Sequence, residues 1–379
     1  MPHKIMISAG EASGDMHAAA VVRALQKRGT HCQLYGLGGP QLERLGMELI
    51  VDCRDIAVVG IVEVLIHYRQ LLTKLEELKA RLRDDPPDLL VLVDYPDFNL
   101  KLAEAAQQFG IKVLFYISPQ VWAWRKKRVE RIGKLVDMMA VLFPFEEIFY
   151  QEVNIPVRFV GHPLVDEVKP SMSIQAAKTF FGVDPNAHCI GLLPGSRKGE
   201  VQRVLPIMLE TAERIEKTSQ DIHFVLPIAE TLDIQNIKNL INNRLKSSLH
   251  LVKGHSYDVM HASDALLCAS GTATLEAALM GTPMAITYRI NPLSYLILKH
   301  MITIPDIGLV NVVYGRRIVQ EFVQREAKPE CIAEEMQHLL FDLDYRDKMK
   351  KQLNKVKEKM GQGGGAMNVA KLIEELLLP

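Results

Sequence analysis

The stretch Ile190–Glu200, IGLLPGSRKGE, decides how this chain is interpreted. An apolar run of strand length ends at Pro194 and Gly195, and a helical pattern of apolar residues follows. A strand, a glycine turn and a helix start point free backbone N–H groups and the positive end of a helix dipole at an anion. Ser196 and Arg197 add a hydroxyl and a guanidinium, which suit phosphate oxygens. An ordinary strand-to-helix turn is the alternative for this stretch alone.

A second turn of the same kind lies downstream in the stretch Ala269–Glu276, ASGTATLE. Ser270, Gly271 and Thr272 offer backbone and hydroxyl donors to a diphosphate, and the carboxylate of Glu276 could accept both hydroxyls of a ribose. The chain lacks a Walker lysine motif and a complete dinucleotide fingerprint, so the two turns favour a nucleotide sugar over ATP or NAD. A capping hydroxyl beside a surface glutamate is the alternative.

Composition and charge exclude several classes of protein. A length of 379 residues favours two domains, and 48% hydrophobic with 24% charged residues is typical of a soluble globular enzyme. The formal net charge of zero argues against a nucleic-acid partner. Five scattered cysteines without CxxC spacing predict reduced thiols in a cytoplasmic protein. We expect no signal peptide, and no apolar run reaches the roughly 18–20 residues that span a bilayer.

Strand-like and helix-like segments alternate through both halves, which predicts the α/β class with two doubly wound parallel sheets. The compact stretch Gly161-His162-Pro163 indicates a linker, and Gly361–Gly365 a flexible joint before a last helix. We therefore expect domains over residues 1–163 and 164–360, followed by a C-terminal helical segment over 361–379.

Asp94 is the candidate functional residue of the first half. It ends the most apolar predicted strand there, and Pro96 prevents that strand from continuing. Polar residues just past the carboxyl end of a strand lie in the ligand crevice of an open α/β sheet. A turn or capping aspartate is the alternative, although Asp97 and Asn99 are better placed to cap the next helix.

Two segments of the first half are candidates for contact with a membrane surface. Apolar residues in Val58–Ile66 exceed a single helical stripe, and the basic run Arg125–Lys134 directly follows Trp122 and Trp124. Aromatic and basic residues together also suit nucleic acid or an anionic substrate. Packing on two sides, for the first segment, and a solvated helix face, for the second, are the alternatives.

The pair Asp342-Leu343-Asp344 has the D-x-D spacing by which some nucleotide-sugar enzymes hold a metal ion. It lies in a charged tail and does not follow a predicted strand. We therefore interpret it as a solvated helix face and predict no metal site.

Six longer stretches form a combined pattern. They are, in chain order, Gly10–Asp15 (GEASGD), Asp94–Asn99 (DYPDFN), Ser118–Arg125 (SPQVWAWR), Phe159–Pro163 (FVGHP), Leu193–Arg197 (LPGSR) and Ser270–Glu276 (SGTATLE). Together they resemble the lipid-A-disaccharide synthase family. The resemblance runs from about Ile5 to the C-terminal helix in the same order, and a set of long motifs like this is highly specific.

The resemblance implies a GT-B fold, in which two Rossmann-like domains face a central cleft and the C-terminal helix crosses back to the first domain. It implies inverting transfer of 2,3-diacylglucosamine from its UDP derivative to the 6-hydroxyl of 2,3-diacylglucosamine 1-phosphate (lipid X). The products would be UDP and the β-1,6-linked disaccharide 1-phosphate of lipid A biosynthesis. Neither a metal nor a cofactor is implied. The implied location is the cytoplasmic face of the inner membrane of a Gram-negative bacterium, as a peripheral protein.

The resemblance also assigns roles to residues. Asp94 would be the general base, Arg197 would neutralise the departing diphosphate together with the helix dipoles, and Glu11 would position the acceptor. Thr274 belongs to the second donor turn, and Asn311 matches a family asparagine near the donor site within a partial motif. Tyr95 occupies a variable motif position and receives no role.

Two other classes share part of this pattern. A non-hydrolysing UDP-sugar 2-epimerase would have the same two-domain fold and UDP site but a different acid/base set, and detergent independence would favour it. A nucleotide-sugar binding protein would bind UDP tightly without turnover. The sequence leaves the acyl-chain length and the oligomeric state open, with a homodimer as one option.

Overall fold

The computed structural model describes residues 2–56, 61–119, 126–219, 221–242, 244–245, 248–291 and 306–378, with the backbone alone for 61–68 and 126–128. The chain divides into two compact units. The first comprises Met1–Pro163 together with Gln362–Pro379, and the second comprises Leu164–Gly361.

The first unit contains a seven-stranded sheet whose paired strands are all parallel. Its strands are β1 (His3–Ala9), β2 (Cys32–Gly38), β3 (Glu48–Asp52), β4 (Leu89–Val93), β5 (Lys112–Tyr116), β6 (Met138–Val141) and β7 (Val157–Phe159). They lie in the order β3-β2-β1-β4-β5-β6-β7, so the order reverses between β1 and β4. In such a doubly wound sheet, the carboxyl ends of the two strands at the reversal form the ligand-binding crevice.

Helices cover this sheet. They are α1 (Ala12–Lys27), α2 (Pro40–Glu43), α3 (Cys53–Ile56), α4 (Ile61–Asp84), α5 (Pro96–Gln108), α6 (Lys126–Gly133) and α7 (Glu146–Gln151). Every residue of β4 is buried, which explains its continuous apolar run, because a parallel strand packs against helices on both faces. Leu78 and Leu82 of α4 are fully buried in the same core cluster.

The helix α1 begins inside the stretch Gly10–Asp15. It starts at Ala12, with Glu11 in extended conformation at its N-cap. Gly14 lies close to the sheet, since a Cβ there would meet Ala9 and the carbonyl of Val93 at ordinary contact distances of 3.5–3.6 Å.

The last helix, α17 (Gly365–Leu377), belongs to the first unit. The Glu374 carboxylate accepts hydrogen bonds from Arg28 and from the hydroxyl of Thr30. Lys112 donates to the carbonyl of Leu376 at 2.9 Å, and the buried face of the helix includes Val369, Ala370, Leu372 and Ile373. The chain therefore returns to its first unit at its C-terminal end.

The second unit contains a six-stranded parallel sheet in the order β10-β9-β8-β11-β12-β13. Its strands are β8 (His188–Leu193), β9 (Ile222–Ile228), β10 (Leu249–Lys253), β11 (Ala265–Ala269), β12 (Met284–Tyr288) and β13 (Glu321–Val323). The order reverses between β8 and β11, the two strands that precede the predicted phosphate turns.

Short and long helices alternate with the strands in the described part of this unit. They are α8 (Leu164–Glu167), α9 (Ile174–Phe180), α10 (Lys198–Thr218), α11 (Ile234–Ile241), α12 (Ser256–Ala262), α13 (Ala273–Met280), α14 (Leu309–Tyr314), α15 (Pro329–Phe341) and α16 (Leu343–Lys359). Asp342 caps α16 by accepting the backbone N–H of Tyr345 at 3.0 Å, so the first carboxylate of the D-x-D pair has a structural role. Two parallel-sheet α/β domains confirm the predicted fold class.

Candidate active site

The two predicted phosphate turns are neighbours in the second unit. Strands β8 and β11 pair in register from Ile190 opposite Ala265 to Leu193 opposite Cys268, so the turns that follow them start side by side. Gly195 has φ +104° and Gly271 has φ +155°, both in the region that favours glycine. The positive φ is what favours glycine at position 195, because the Glu200 carboxylate oxygen 2.0 Å from the place of a Cβ belongs to a flexible side chain.

A cavity of about 490 Å³ opens against these turns. Seven of the predicted donor-site residues line it: Gly195, Ser196, Arg197, Ser270, Gly271, Thr272 and Glu276. Arg197 is exposed and stands at the N-cap of α10, directly before the free N–H groups of a 21-residue helix. The cavity thus combines a guanidinium with two helix starts, an arrangement that suits a diphosphate.

Glu276 projects from the first turn of α13 and also lines this cavity. The hydroxyl of Tyr257 donates to its carboxylate at 3.5 Å. Burial raises the pKa of the Glu276 carboxyl, the hydrogen bond from Tyr257 opposes that shift, and the negative charge of Glu167 adds to it. Burial and the Glu276 charge raise the pKa of Tyr257 to about 12. A sugar hydroxyl could donate a hydrogen bond to the Glu276 carboxylate in place of the water that burial has removed.

In the first unit, Glu11 and Asp94 follow neighbouring strands. Ala9, the last residue of β1, pairs with Val93, the last residue of β4. Burial raises the pKa of the Asp94 carboxyl, the negative charge of Glu11 raises it further, and the backbone N–H of Tyr95 opposes the shift. The half-buried Asp94 carboxylate is therefore more basic than that of an ordinary aspartate.

Tyr95 packs on the turn that precedes Glu11. A Cβ on Gly10 would lie 2.2 Å from Cδ1 of Tyr95, so the tyrosine ring occupies the space above the glycine. The ring also lies 5.6 Å from that of Phe98, centroid to centroid. Tyr95 received no role from the sequence, and the structure shows that it holds the β1 turn against the β4 turn.

Comparison with known proteins identifies the family of this chain. A sequence model described as lipid-A-disaccharide synthetase matches residues 5–373. The chain belongs to the lipid-A-disaccharide synthetase family. It is 46% identical over 377 residues to the lipid-A-disaccharide synthase of Geobacter sulfurreducens, covering 99% of this chain and 97% of that protein. It is 46% identical over 360 residues to the synthase of Nitrosococcus oceani, covering 95% and 92%.

Solved structures similar to this synthetase-family chain have the GT-B fold. The calicheamicin glycosyltransferase CalG4 matches with a TM-score of 0.64 at 15% identity, over 99% of this chain and 98% of that one. A UDP-GlcNAc 2-epimerase from Neisseria meningitidis bound to UDP-GlcNAc matches with a TM-score of 0.62 at 15% identity, over 99% and 98%. The fold is thus shared with epimerases, whereas the sequence family is that of the synthase. The predicted family and enzyme class are confirmed: the chain is a glycosyltransferase of lipid A biosynthesis.

Two predicted donor-site residues of this synthetase-family chain bind neighbouring backbone. The hydroxyl of the fully buried Thr274 donates to the carbonyl of Gly271 at 2.8 Å. Asn311, also buried, donates to the carbonyl of Val319 and to Glu321. Its amide oxygen accepts the N–H groups of Ile318 and Val319. The hydrogen-bonding capacity of the Asn311 side chain is thereby used, so its position supports the site indirectly.

A chain of hydrogen bonds connects Asn311 to the donor turn. Glu321, its partner at 2.8 Å, also accepts the backbone N–H groups of Ile307 and Gly308 at 2.9 Å each. The carbonyl of Ile307 in turn accepts the Ser270 hydroxyl at 2.8 Å. Asn311 and Glu321 thus fix the backbone on which the second phosphate turn rests.

Sequence reasoning missed four polar residues that line the donor cavity: Glu200, Glu230, Ser256 and Tyr288. Tyr288 ends β12, the strand beside β11. Burial raises the pKa of Tyr288, and the charge and hydrogen bond of Glu200 raise it further, whereas Arg197 and Arg203 oppose the shift. The strand-end position of Tyr288 was a usable signal, but the strand order that makes β12 a neighbour of β11 is visible only in the folded sheet.

The candidate membrane segments are only partly described. Residues 57–60 and 120–125, including both tryptophans, lie outside the described residues, as do the side chains of 61–68 and 126–128. In the described part of α6, Val129 and Ile132 are buried, and Arg131 pairs with Glu104 at 2.6 Å. None of the helices in the described ranges is both long and apolar enough to cross a membrane. Nor do the described residues include a group of three or more His, Cys, Asp or Glu side chains arranged to hold a metal ion.

Proposed function

We propose that this chain transfers 2,3-diacylglucosamine from UDP-2,3-diacylglucosamine to the 6-hydroxyl of 2,3-diacylglucosamine 1-phosphate (lipid X). The products are UDP and a β-1,6-linked disaccharide 1-phosphate, and the anomeric carbon is inverted. The observation that carries the proposal is the cavity of about 490 Å³ against two adjacent strand-to-helix turns of the second unit. That geometry suits a nucleoside diphosphate, and a solved protein of the same fold is bound to UDP-GlcNAc.

In the proposed donor site, the diphosphate and the ribose of UDP bind to different groups. Arg197, with the helix starts after Gly195 and Gly271, binds the diphosphate. Glu276 accepts the ribose hydroxyls from the first turn of α13. Arg197 acts most strongly when the bond to the sugar breaks, because the diphosphate then gains negative charge. This positive charge replaces the metal ion on which some other glycosyltransferases rely.

The acceptor is activated in the first unit. The carboxylate of Asp94 takes the proton of the 6-hydroxyl while that oxygen forms its bond to the anomeric carbon. The bond from the anomeric carbon to the diphosphate oxygen breaks from the opposite face, and its electrons leave with UDP. One displacement of this kind inverts the anomeric carbon. Glu11, beside Asp94 on the neighbouring strand end, raises the pKa of the base and contacts the acceptor sugar.

The direct test is to incubate the purified protein with UDP-2,3-diacylglucosamine and lipid X and to analyse the products. Mass spectrometry should find the disaccharide 1-phosphate with one equivalent of UDP, and NMR should assign a β linkage. Turnover should persist in EDTA. Epimerisation of the UDP-sugar without disaccharide would instead support an epimerase, and tight UDP binding without product would support a binding protein.

We propose further that the protein works at the cytoplasmic face of the inner membrane as a peripheral protein. Both substrates carry acyl chains, and the sequence provides an apolar surplus over Val58–Ile66 and a basic run over Arg125–Lys134. Each basic residue near an anionic surface contributes about 1 kcal/mol, which salt screens. These segments include the residues that the structure leaves undescribed, so the support here is the sequence pattern.

Sedimentation with anionic vesicles tests this location. High salt should release part of the bound protein, and Val62→Glu with Ile66→Glu should release more. Phe341→Glu with Leu343→Glu is the matched control, because it makes the same change at two exposed apolar residues of the second unit. Equal release by both double variants, or full sedimentation of the first one, would remove Val58–Ile66 as the contact.

A further inference from the structure

A buried amide, Asn99, connects the two strand ends that carry Glu11 and Asp94. Asn99 lies in the first turn of α5 and is fully buried. Its Nδ2 donates to the carbonyl of Asp94 at 2.6 Å and to the carbonyls of Ser8 at 3.2 Å and Val93 at 3.4 Å. Its Oδ1 accepts the hydroxyl of Ser8 at 2.6 Å. One side chain thus satisfies backbone groups at the carboxyl ends of both β1 and β4.

The backbone that Asn99 holds has an unusual conformation. Asp94 and Tyr95 both have φ +49°, in the left-handed region that residues other than glycine rarely adopt. Two such residues in succession persist only where the surroundings fix them. The N–H of Asp94 donates to the carbonyl of Tyr116 at 3.0 Å, and the carbonyl of Asp94 accepts from Asn99. Both peptide groups that flank the Asp94 side chain are therefore held.

We infer that Asn99 is a positioning residue for the reaction, because its amide holds the Asp94 backbone in the conformation that directs the carboxylate at the acceptor hydroxyl. The inference rests on the proposed role of Asp94 as general base. Asn99 itself is buried beneath the turn and does not contact substrate. A general base acts only within hydrogen-bonding distance of the proton that it removes, and a displacement of about 1 Å can lower turnover by about 10²-fold.

Ser8 provides a matched control on the same network. Its hydroxyl contacts Oδ1 of Asn99 but does not contact Asp94. Ser8→Ala therefore removes a buried hydrogen bond and leaves the bond from Asn99 to the Asp94 carbonyl in place. Asn99→Ala removes both. If Asn99 served stability alone, the two variants would differ in thermal midpoint and not in turnover per folded molecule.

The experiment compares Ser8→Ala, Asn99→Ala and Asp94→Asn with the unmodified chain. Thermal midpoint, UDP affinity, KM for lipid X and kcat are measured on the same preparations, with kinetics well below the lowest midpoint. Ser8→Ala should lower the midpoint by a few degrees and keep kcat within about twofold. Asn99→Ala should lower kcat by about 10²-fold and leave UDP affinity unchanged, because the donor cavity lies in the other unit.

Each outcome has a distinct meaning. If Asn99→Ala keeps the kcat of Ser8→Ala while Asp94→Asn loses turnover, Asn99 is only structural and the proposed base stands. If Asp94→Asn retains turnover, the proposed base is wrong, and the positioning inference is overturned with it. If Asn99→Ala does not fold, Asn99→Ser keeps one short hydroxyl donor and is compared with Ser8→Ala in the same way.

Discussion

Each unit has its candidate site at the reversal of strand order in a parallel sheet, but the side chains at the two sites differ. In the second unit, the turns after β8 and β11 contain Gly195 and Gly271 at positive φ, with a guanidinium and two helix starts around them. In the first unit, the turns after β1 and β4 carry the carboxylates of Glu11 and Asp94. We therefore propose that the reversal in the second unit binds the diphosphate and that the reversal in the first unit provides the proton acceptor.

The turns of the two units also differ in their backbone. At Gly271 nothing lies within 4 Å of the place that a Cβ would take, whereas at Gly195 the flexible side chain of Glu200 occupies that place. Asp94 and Tyr95 adopt positive φ without being glycine, and the buried amide of Asn99 holds the carbonyl of Asp94. Glycine lets a phosphate approach the backbone of a turn. At Asp94, by contrast, a fixed backbone gives the carboxylate a defined direction. The comparison predicts that substitutions in the first unit affect activation of the acceptor, and that those in the second unit affect binding of the donor or departure of UDP.

The largest effect is expected for Asp94→Asn, which keeps the shape of the side chain and removes its basicity. Turnover should fall by about 10²–10⁴-fold, because no carboxylate is left to accept the proton of the acceptor hydroxyl. UDP affinity should be unchanged, since the described residues that line the donor cavity belong to the second unit. Steady-state kinetics and UDP calorimetry on one preparation separate the two quantities.

Asp97→Asn is the control for this variant. Asp97 is also a carboxylate of the β4 turn, but it is not among the groups that shift the pKa of Asp94. We expect it to retain turnover. Loss of turnover in Asp97→Asn together with normal turnover in Asp94→Asn would assign the role of base to Asp97. The proposed role of Asp94 in the first unit would then be wrong.

Arg197→Ala is expected to lower turnover by about 10²–10³-fold, with a smaller effect on donor affinity. The guanidinium stabilises charge that develops as UDP departs, so its loss raises the barrier more than it weakens the ground state. Lys198→Ala removes a positive charge at the next position, which does not line the donor cavity, and should have little effect. A larger loss in donor affinity than in kcat would make Arg197 a binding residue only.

Glu276→Ala is expected to weaken UDP binding about tenfold or more, because hydrogen bonds to a charged group are lost. Uridine 5′-diphosphate lacking the 2′- and 3′-hydroxyls sharpens the test: the unmodified chain should bind this analogue as weakly as the variant binds UDP. Glu210→Ala, at an exposed position of α10, is the control. If Glu276→Ala loses the same affinity for both ligands, its carboxylate does not contact the ribose.

Local pattern was enough to predict much of this molecule. Alternating segments predicted two parallel-sheet units, and breakers after apolar strands located Asp94, Gly195 and Gly271 at strand ends. What remained hidden depends on contacts between distant segments. Tyr288 joins the donor cavity because β12 lies beside β11, and Asn311 supports it through Glu321.

The backbone conformation of single residues could not be predicted from the sequence either. The sequence places proline after Tyr95, which favours extended backbone there, yet Tyr95 is left-handed. The buried bonds of Asn99 and the packing of the Tyr95 ring on Gly10 override that preference. Asn99 was interpreted as a possible helix cap, and its partners Ser8 and Asp94 are 91 and 5 residues away in sequence.

The smallest expected effect is a shift in the pH dependence of turnover in Glu11→Gln. The pKa of Asp94 is raised by burial and by the negative charge of Glu11. A general base works when ionised, so turnover is present above that pKa and is lost as the pH falls through it. Removing the Glu11 charge lowers the pKa of Asp94, and the acid limb of the kcat profile should therefore move to lower pH. Asp97→Asn should leave the limb in place. An unmoved limb in Glu11→Gln with reduced affinity for lipid X would restrict Glu11 to binding the acceptor, whereas a shift without any change in KM would make it an electrostatic partner of the base alone.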